Sequence, residues 1–432
     1  HNAKKAFSPM INIVGDHASY HLKHNAPLTS DLDGLAKSSS DWVKRVSSPE
    51  QITQYANDAW KAANESPGNI ATLVVPADYA WSDIQPDLPK KVELNNRKSV
   101  DNKLIEAAYK LLLKPNSMLY LGGKFLDEEC LKFAAQIATK TGCRLVTDTF
   151  VSRIRRGAGL PIIQQVPYFS EMAEDFLQGT ESIVFIGTKP PVSFFAYPDK
   201  KSFLSPDEAE LFELCSVEEN GYETLALLSE LSGSPKIANE LIRPHISDVP
   251  TSGDLDVTTL GPLIADIMPE ESIVSDESAT SSLIVTPHAL QAKPHDWLAL
   301  TGGSIGQGLP LAIGASIAKP DRPVITLHGD GGAMYTVQAL WTQARENLNI
   351  TNIIFSNRSY EILKIELDRV QAVETGERAA SMFSMDNPPI DWVNLAESMG
   401  VKGYKPKTVK EFKDVFSKSV NESGPSLIEI EI

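Results

Sequence analysis

Short apolar runs that suit buried strands alternate along the chain with stretches in which apolar residues recur at helical spacing. The strand-like runs cover residues 10–14, 70–75, 117–121, 144–147, 182–186, 272–275, 323–327, 352–355 and 426–432. Helical spacing fills the intervals, as in residues 101–113, which are followed by Pro115. This alternation predicts an α/β fold made of doubly wound parallel sheets.

Two stretches without apolar periodicity divide the chain. Residues 83–100 and 242–256 contain several prolines and many polar residues, and they read as surface linkers. The sequence therefore predicts three domains, at residues 1–85, 98–245 and 257–432. The first is expected to be only the rear part of a domain, because the chain opens at His1 on helix-like sequence that leads straight into a strand.

The ends of two predicted strands carry the most informative residues. One strand ends in Gly329-Asp330-Gly331-Gly332 and the other in Asn357, with a predicted helix over residues 334–347 between them. A right-handed crossover places both ends on one edge of a parallel sheet. Hard oxygens and glycine N–H groups there would suit Mg²⁺ and a diphosphate. An ordinary Asp-Gly turn followed by a capping Asn is the alternative interpretation.

The spacing of this pair resembles the motif of thiamine diphosphate (ThDP) enzymes, in which Gly-Asp-Gly is followed by an Asn. Here Asn357 stands 27 positions after Asp330 (357 − 330). The resemblance implies that Asp330, Asn357 and the backbone carbonyl of Ser359 bind Mg²⁺, with Gly329, Gly331 and Gly332 at the diphosphate. The resemblance spans nearly the whole chain. It implies the rear of a pyrimidine-binding domain, a Rossmann-like central domain and a diphosphate-binding domain. The most similar members of the family are acetolactate synthase large subunits and benzoylformate decarboxylases.

Two further segments match the cofactor site of this family. In the glycine-rich residues 301–310, the resemblance implies that Gly303 and Ile305 hold the aminopyrimidine ring and that Ser304 between them also binds the cofactor. Close packing of a helix on a sheet would also explain these glycines. Thr280 and Ser281 resemble the diphosphate-contacting Glu-Ser-Thr-Ser segment of benzoylformate decarboxylases, although helix capping by Ser278 or Thr280 is the structural alternative.

The helix expected after Asn357 would form the floor of the substrate pocket. The resemblance makes Tyr360, Ile362 and Leu363 candidates for this floor, with core packing as the equal alternative. His328, before the Gly-Asp-Gly, reads either as a phosphate contact or as a satisfied strand histidine. The loop that carries His17, His21 and His24 supplies active-site polar groups in some members of the family.

Charge and cysteine content narrow the function classes. The chain has 40 basic and 56 acidic residues, a net charge of −16, and no basic stripe, which argues against nucleic acid or anionic membrane as a partner. Cys130, Cys143 and Cys215 form no CxxC pair. Together with the lack of a signal peptide and of a long apolar run, this predicts a cytoplasmic protein.

Two smaller features leave alternatives open. Leu121-Gly122-Gly123 could be a nucleotide loop or a plain strand-to-helix turn, because no GxGxxG is completed. Arg153, Arg155 and Arg156 could bind an anion or form a solvated loop.

The family's catalytic acid has no counterpart in this sequence. ThDP requires a glutamate beside its pyrimidine ring, and the first glutamate of the chain is Glu50, well behind the first strand. We therefore identify no catalytic residue. The hypothesis is that the matching Glu lies upstream of His1, in a longer enzyme.

The sequence thus predicts a ThDP- and Mg²⁺-dependent 2-oxo acid decarboxylase or carboligase resembling acetolactate synthase. Its substrate would be a 2-oxo acid or an acyl thioester, and the resemblance implies a homodimer or homotetramer with shared active sites. The chain has Lys189-Pro190-Pro191 where an Arg-Phe-Asp-Asp segment is expected, and it lacks the Gln-Gly-Met and Trp pattern of that pocket. These departures argue against FAD and against true acetolactate synthesis. Alternatives are a benzoylformate decarboxylase, a 2-hydroxyacyl-CoA lyase-type enzyme, a non-catalytic ThDP-binding homologue, and a nucleotide-dependent oxidoreductase.

Overall fold

The computed structural model describes residues 1–84, 92–370 and 376–432. Part of the predicted linker at residues 83–100 lies outside these ranges. The described chain forms two compact units. Unit 1 comprises His1–Asp101, Cys215–Thr224 and Thr301–Gly303, and unit 2 comprises Asn102–Leu214, Leu225–Leu300 and Ser304–Ile432. The α/β fold with parallel sheets is confirmed, and the division into three domains stays a prediction.

Unit 1 is built on a parallel sheet with the strand order β1-β3-β2. Its strands are β1 (Met10–Asp16), β2 (Trp42–Arg45) and β3 (Ile70–Pro76), and its helices are α1 (Asn2–Lys5), α2 (Leu32–Ser39), α3 (Ile52–Asn64) and α4 (Ala77–Trp81). The central strand β3 is almost entirely buried. Ala59 and Ala63 of α3 pack on Ala71 of β3, and these small side chains let the helix lie close to the sheet.

Unit 2 contains a five-stranded sheet in the order β7-β5-β4-β8-β9. Its strands are β4 (Ser117–Leu121), β5 (Arg144–Thr147), β7 (Gln164–Gln165), β8 (Ser182–Ile186) and β9 (Glu210–Cys215), and the helices are α5 (Asn102–Leu112), α6 (Glu128–Thr141), α7 (Ser170–Leu177) and α8 (Gly221–Leu231). The last residue of β9 and the first four residues of α8 are assigned to unit 1. Helix α6 begins where Asp127 accepts the N–H of Cys130 at 2.8 Å, and it ends at Gly142, whose φ is 76°.

The second sheet of unit 2 has seven strands in the order β14-β15-β13-β12-β10-β11-β6. The strands are β6 (Ile154–Arg156), β10 (Ile273–Glu277), β11 (His295–Leu298), β12 (Val324–Gly329), β13 (Ile350–Ser356), β14 (Lys402–Tyr404) and β15 (Ser426–Glu431). Around it lie α9 (Val257–Ile267), α10 (Ser282–Ala289), α11 (Gly308–Ala318), α12 (Asp330–Ala333), α13 (Ala339–Arg345), α14 (Glu361–Arg369), α15 (Glu377–Ser381), α16 (Trp392–Ser398) and α17 (Val409–Asn421). All pairs are parallel except β6 on β11.

Two local predictions are wrong. Only residues 339–345 of the helix predicted over residues 334–347 are helical, as α13, and the short helix α12 ends before this range, at Ala333. Between them, Thr336 donates its hydroxyl to the carbonyl of Gly306 at 2.7 Å, which ties the chain to a neighbouring loop instead of continuing the helix. The solvated-loop interpretation is wrong for Arg155 and Arg156, which lie on edge strand β6 and pair with β11, whereas Arg153 lies just before this strand.

The helices in residues 1–84, 92–370 and 376–432 do not include one with the length and hydropathy needed to cross a bilayer.

Candidate functional site

Three neighbouring parallel strands of unit 2 end at the same edge of the seven-stranded sheet. Glu277 at the end of β10 is in register with His328 on β12, and Gly329 at the end of β12 is in register with Phe355 on β13. The residues that follow these strands therefore lie side by side. This is the position at which open α/β sheets bind their ligands.

Asp330 is the buried acid of this edge. It begins α12, its exposed fraction is 3%, and both of its carboxylate oxygens accept backbone N–H groups. Oδ1 accepts from Gly331 and Oδ2 from Arg358, each at 2.8 Å. Burial raises the pKa of Asp330, against the opposing effect of these two N–H groups. In the described part of the chain no Lys or Arg pairs with it, so the environment favours a bound cation.

Asn357 and Ser359 form a tight turn beside Asp330. Asn357 Oδ1 accepts the N–H of Ser359 at 3.0 Å, and Arg358 between them has a left-handed φ of 51°. Because the N–H of Arg358 also binds Asp330, the loops after β12 and β13 are joined.

The predicted donor set fits Mg²⁺ by its chemistry: one carboxylate, one amide oxygen and one backbone carbonyl, all hard oxygen ligands. In the described ranges no group of three His, Cys, Asp or Glu side chains could hold a metal, so an alternative centre of that kind is not found there. Gly329 leaves its backbone open, since an added Cβ would meet no atom closer than 3.8 Å. The residues present therefore fit a metal-bound diphosphate.

Glu277 is a site residue that the sequence analysis missed. It is buried, and its two carboxylate oxygens accept the N–H groups of Gly306 at 2.5 Å and Gly308 at 2.7 Å. The acid thus anchors the glycine-rich loop to the end of β10 and fixes the start of α11. A signal was available, because Glu277 follows a predicted strand in the same way as Asp330 does.

His328 packs directly against Glu277. The ring is fully buried, and its Nε2 lies 3.5 Å from Glu277 Oε2 without a hydrogen-bond partner in the described residues. Burial lowers the pKa of His328, although the Glu277 carboxylate opposes this shift. A Cβ on Gly308 would lie 2.6 Å from the imidazole, so only glycine permits this close approach.

The glycine-rich loop presents its predicted cofactor residues at the surface. Ser304 and Ile305 are exposed, Ile305 by 43%, and Gly306 has a φ of 92°. Gly303 belongs to unit 1, where it is exposed and has a φ of 69°. An exposed Ile305 is consistent with the predicted apolar contact to a ligand.

Thr280 and Ser281 lie in a 3-10 turn, Ala279–Ser281, directly after β10. Ser281 is buried and Thr280 is half-buried. The capping interpretation is wrong for Ser278, which stands at the N-cap without a side-chain cap bond, and Thr280 is not an N-cap residue of either helix here. Ser278 instead donates its hydroxyl to Asp276 at 2.6 Å.

The three predicted pocket residues stand at the start of α14. Tyr360 places its ring on Gly331, where an added Cβ would lie 2.6 Å from the ring. Ile362 is half-buried and Leu363 is 46% exposed. Helix α14 has no buried residue, so core packing does not explain Leu363.

The histidine loop of unit 1 lines a cavity of its own. The His17 and His21 rings are 5.4 Å apart and the His21 and His24 rings 5.8 Å apart. His17 and His21 line a cavity of about 480 Å³ together with Tyr20 and Trp81. A catalytic role for these histidines stays a prediction.

Comparison with known proteins identifies the class and then the family. Residues 279–430, which contain the edge described above, match the family model described as "Thiamine pyrophosphate enzyme, C-terminal TPP binding domain". Over 432 residues the chain is 39% identical to the "Putative acetolactate synthase large subunit IlvX" of Mycobacterium tuberculosis, covering 100% of this chain and 82% of that protein. The chain belongs to the family of thiamine diphosphate-dependent enzymes related to acetolactate synthase large subunits.

Other matches agree with this assignment. A benzoylformate decarboxylase of Pseudomonas aeruginosa is 23% identical over 452 residues, covering 99% of this chain and 83% of that protein. The solved structure of the Rhodococcus jostii ThDP-dependent 4-hydroxybenzoylformate decarboxylase has a TM-score of 0.84 at 23% identity, covering 100% of this chain and 83% of that one. This structural likeness supports the fold.

Proposed function

We propose that this chain belongs to a ThDP- and Mg²⁺-dependent enzyme that decarboxylates a 2-oxo acid or ligates the resulting fragment to a second carbonyl compound. The observation that carries the proposal is Asp330, a buried carboxylate that is held mainly by backbone N–H groups at the ends of parallel strands and that has no basic partner in the described residues. Such a group favours a cation, and a divalent cation can in turn bind a diphosphate.

Each part of the edge has a role in this proposal. Asp330, Asn357 and the Ser359 carbonyl bind the metal. The diphosphate lies against Gly329, Gly331, Gly332, Thr280 and Ser281, and the pyrimidine ring against Gly303 and Ile305, with Ser304 between them also at the cofactor. When bound, ThDP supplies the electron sink that the cleavage of a bond next to a carbonyl requires.

The remaining residues shape the pocket. Glu277 holds the glycine-rich loop through two backbone N–H groups, so that this loop keeps its position when a ligand binds. Tyr360, Ile362 and Leu363 exclude water from the substrate. The relatives named acetolactate synthase and benzoylformate decarboxylase suggest a 2-oxo acid, and an acyl thioester is the alternative substrate.

FAD is not part of the proposal. At the edge of the five-stranded sheet, a Cβ on Gly122 would lie 2.5 Å from Thr188 Cβ and 2.7 Å from Asp148 Oδ2. The turn after β4 is therefore filled by side chains of the protein itself, which favours the plain strand-to-helix turn over a nucleotide loop. We further propose a cytoplasmic homodimer or homotetramer with shared active sites.

Calorimetric titration of the intact protein with ThDP tests the cofactor assignment. Binding should require Mg²⁺ and should be lost in Asp330→Asn. Asp148→Asn is the matched control, since Asp148 is a half-buried acid at a strand end that already accepts two side-chain hydroxyl groups. Equal ThDP binding with and without Mg²⁺, or unchanged binding by Asp330→Asn, would refute the metal site.

Turnover is tested with pyruvate, benzoylformate and 2-hydroxyacyl thioesters in the full-length protein. Release of CO₂ or of an aldehyde supports the enzyme. A second candidate is a ThDP-binding homologue that binds the cofactor without turning over a substrate. Mg²⁺-dependent ThDP binding without turnover of any of the three substrate classes would select this candidate.

A further inference from the structure

Arg156 is a buried arginine for which the proposed function has no use. It ends β6 and is in register with His295 on β11, and its exposed fraction is 3%. Its neighbours in sequence are neutralised directly: Arg155 pairs with Glu271 and Arg153 with Asp296. Arg156 makes no ion pair within 4.0 Å in the described part of the chain.

The guanidinium of Arg156 is poorly supplied with acceptors. Its Cζ stacks 3.7 Å from the centroid of the Trp297 ring, which covers one face. Nη1 donates to Gln165 Oε1 at the long distance of 3.4 Å, while Nε and Nη2 have no partner in the residues described. Because a guanidinium carries five N–H donors, burying it in this way is costly unless a further acceptor binds.

Nε and Nη2 form one edge of the planar guanidinium group. Arg156 also lines a small internal cavity. The walls are formed by Arg156, Arg243, Gln165, Ile154, Ile163 and Leu290, together with a proline and a glycine. They include a second arginine and no carboxylate. The cavity therefore combines positive charge, unused donors and apolar surface.

Nearby ionisable groups leave this positive charge incompletely balanced. Asp276 attracts Arg156 electrostatically, but its Oδ1 already accepts the N–H and the hydroxyl of Ser278. His295 is neutral, since burial and the charge of Arg156 lower its pKa to about 3. Burial lowers the pKa of Arg156 to about 9, so the guanidinium is still charged at neutral pH.

The size of the cavity selects its occupant. The space open to the centre of a water-sized sphere is about 10 Å³, which accommodates one small group and excludes a phosphate ester or a nucleotide. A water molecule would accept hydrogen bonds but would leave the charge unbalanced. We infer that the cavity binds one small monovalent anion of chloride size, held by Nε and Nη2 of Arg156 with Arg243 at the wall.

Thermal unfolding of the intact protein tests this inference. Protein exchanged into sodium gluconate is titrated with sodium chloride at constant ionic strength. Because the anion binds only the folded state, the melting midpoint should rise saturably by about 2–4 °C. Arg156→Met should lose this response and Arg155→Gln should keep it. A wild-type midpoint that does not respond to chloride, or an equal response in Arg156→Met, would overturn the inference.

Bromide provides a direct readout that needs no variant. Crystals soaked in bromide should show an anomalous peak between Arg156 and Arg243. The result "an adventitious ion only", with peaks confined to the surface, would leave water as the occupant and refute the site. Inorganic phosphate should give no saturable shift, and a phosphate response larger than that of chloride would refute the assignment by size. If Arg156→Met fails to fold, Arg243→Gln should weaken the chloride response at least several-fold.

Discussion

The two sheets of unit 2 end in edges that look alike in sequence and differ in chemistry. At the edge of the five-stranded sheet, Asp148 accepts hydroxyl groups from Tyr120 at 3.1 Å and from Thr188 at 2.8 Å. At the edge of the seven-stranded sheet, Asp330 is held mainly by backbone N–H groups, with the Ser356 hydroxyl as a weaker side-chain donor. The first edge is closed by its own side chains and the second is open to a ligand. An acid and a glycine after a buried strand therefore indicate a candidate site only when the acid is held mainly by backbone N–H groups and not by the side chains of neighbouring strand ends.

The largest expected effect concerns the closed edge and pH. Burial raises the pKa of Asp148 to about 6, from an ordinary value of 3.8. The folded state therefore binds its proton more tightly, so this group lowers stability as pH rises from about 4 to 6, and the full cost remains above pH 6. Relative to the wild type, Asp148→Asn should gain about 3 kcal/mol in the free energy of unfolding over this range.

Urea unfolding of both proteins at several pH values between 4 and 7 measures this gain. The difference in the free energy of unfolding between the two proteins should change between about pH 4 and 6 and stay constant from about pH 6 to 7. A difference independent of pH would mean that Asp148 is not buried as a carboxylate.

A glycine substitution tests how tightly the closed edge is packed. Gly122→Ala would place a Cβ 2.5 Å from Thr188 and 2.7 Å from Asp148, so we expect a loss of about 1–3 kcal/mol in the free energy of unfolding. Mg²⁺-dependent ThDP binding should not change. Gly15→Ala is the control, because Gly15, like Gly122, has no positive φ, but a Cβ on it meets no atom within 4 Å. Equal destabilisation by the two variants would show that packing around Gly122 does not account for the effect.

Glu277 tests the loop anchor at the open edge. Glu277→Gln keeps the shape of the side chain but replaces one of the two charged acceptors of the Gly306 and Gly308 N–H groups by an amide nitrogen. Because a hydrogen bond to a charged group is lost, ThDP affinity should fall about tenfold, or about 1.4 kcal/mol. Calorimetry in saturating Mg²⁺ measures the fall, with Glu271→Gln as a control outside the loop. An unchanged ThDP affinity would show that Glu277 does not contribute to the cofactor site.

The smallest expected effect concerns the pocket floor. Leu363→Ala removes a side chain that is 46% exposed, so the free energy of unfolding should change by less than about 0.5 kcal/mol. The KM of the accepted 2-oxo acid should nevertheless rise if Leu363 contacts substrate. Steady-state kinetics measure this rise, and Leu283→Ala is a control because Leu283 is also exposed, by 61%, but lies on α10. An unchanged KM would contradict the pocket assignment.

Much of the fold could be predicted because its strands are continuous apolar runs. Strands β4, β5 and β8 have the predicted bounds, and the other predicted strands differ by one or two residues at an end. Strands β2, β6, β7, β9, β11 and β14 were not predicted. Most of these are short, and what makes them strands is their pairing with residues distant in sequence, as in β6 on β11.

By itself, the sequence determined the α/β class, the family motif of Asp330 and Asn357, and the edge at which both should lie. These follow from local patterning and from the handedness of a single crossover, which neighbouring residues specify. Only the tertiary structure decided that Glu277 anchors the glycine-rich loop, that the turn at Gly122 is filled, and that Arg156 is buried. Each of these depends on which side chain a distant strand brings within contact distance, and no spacing along the chain encodes that.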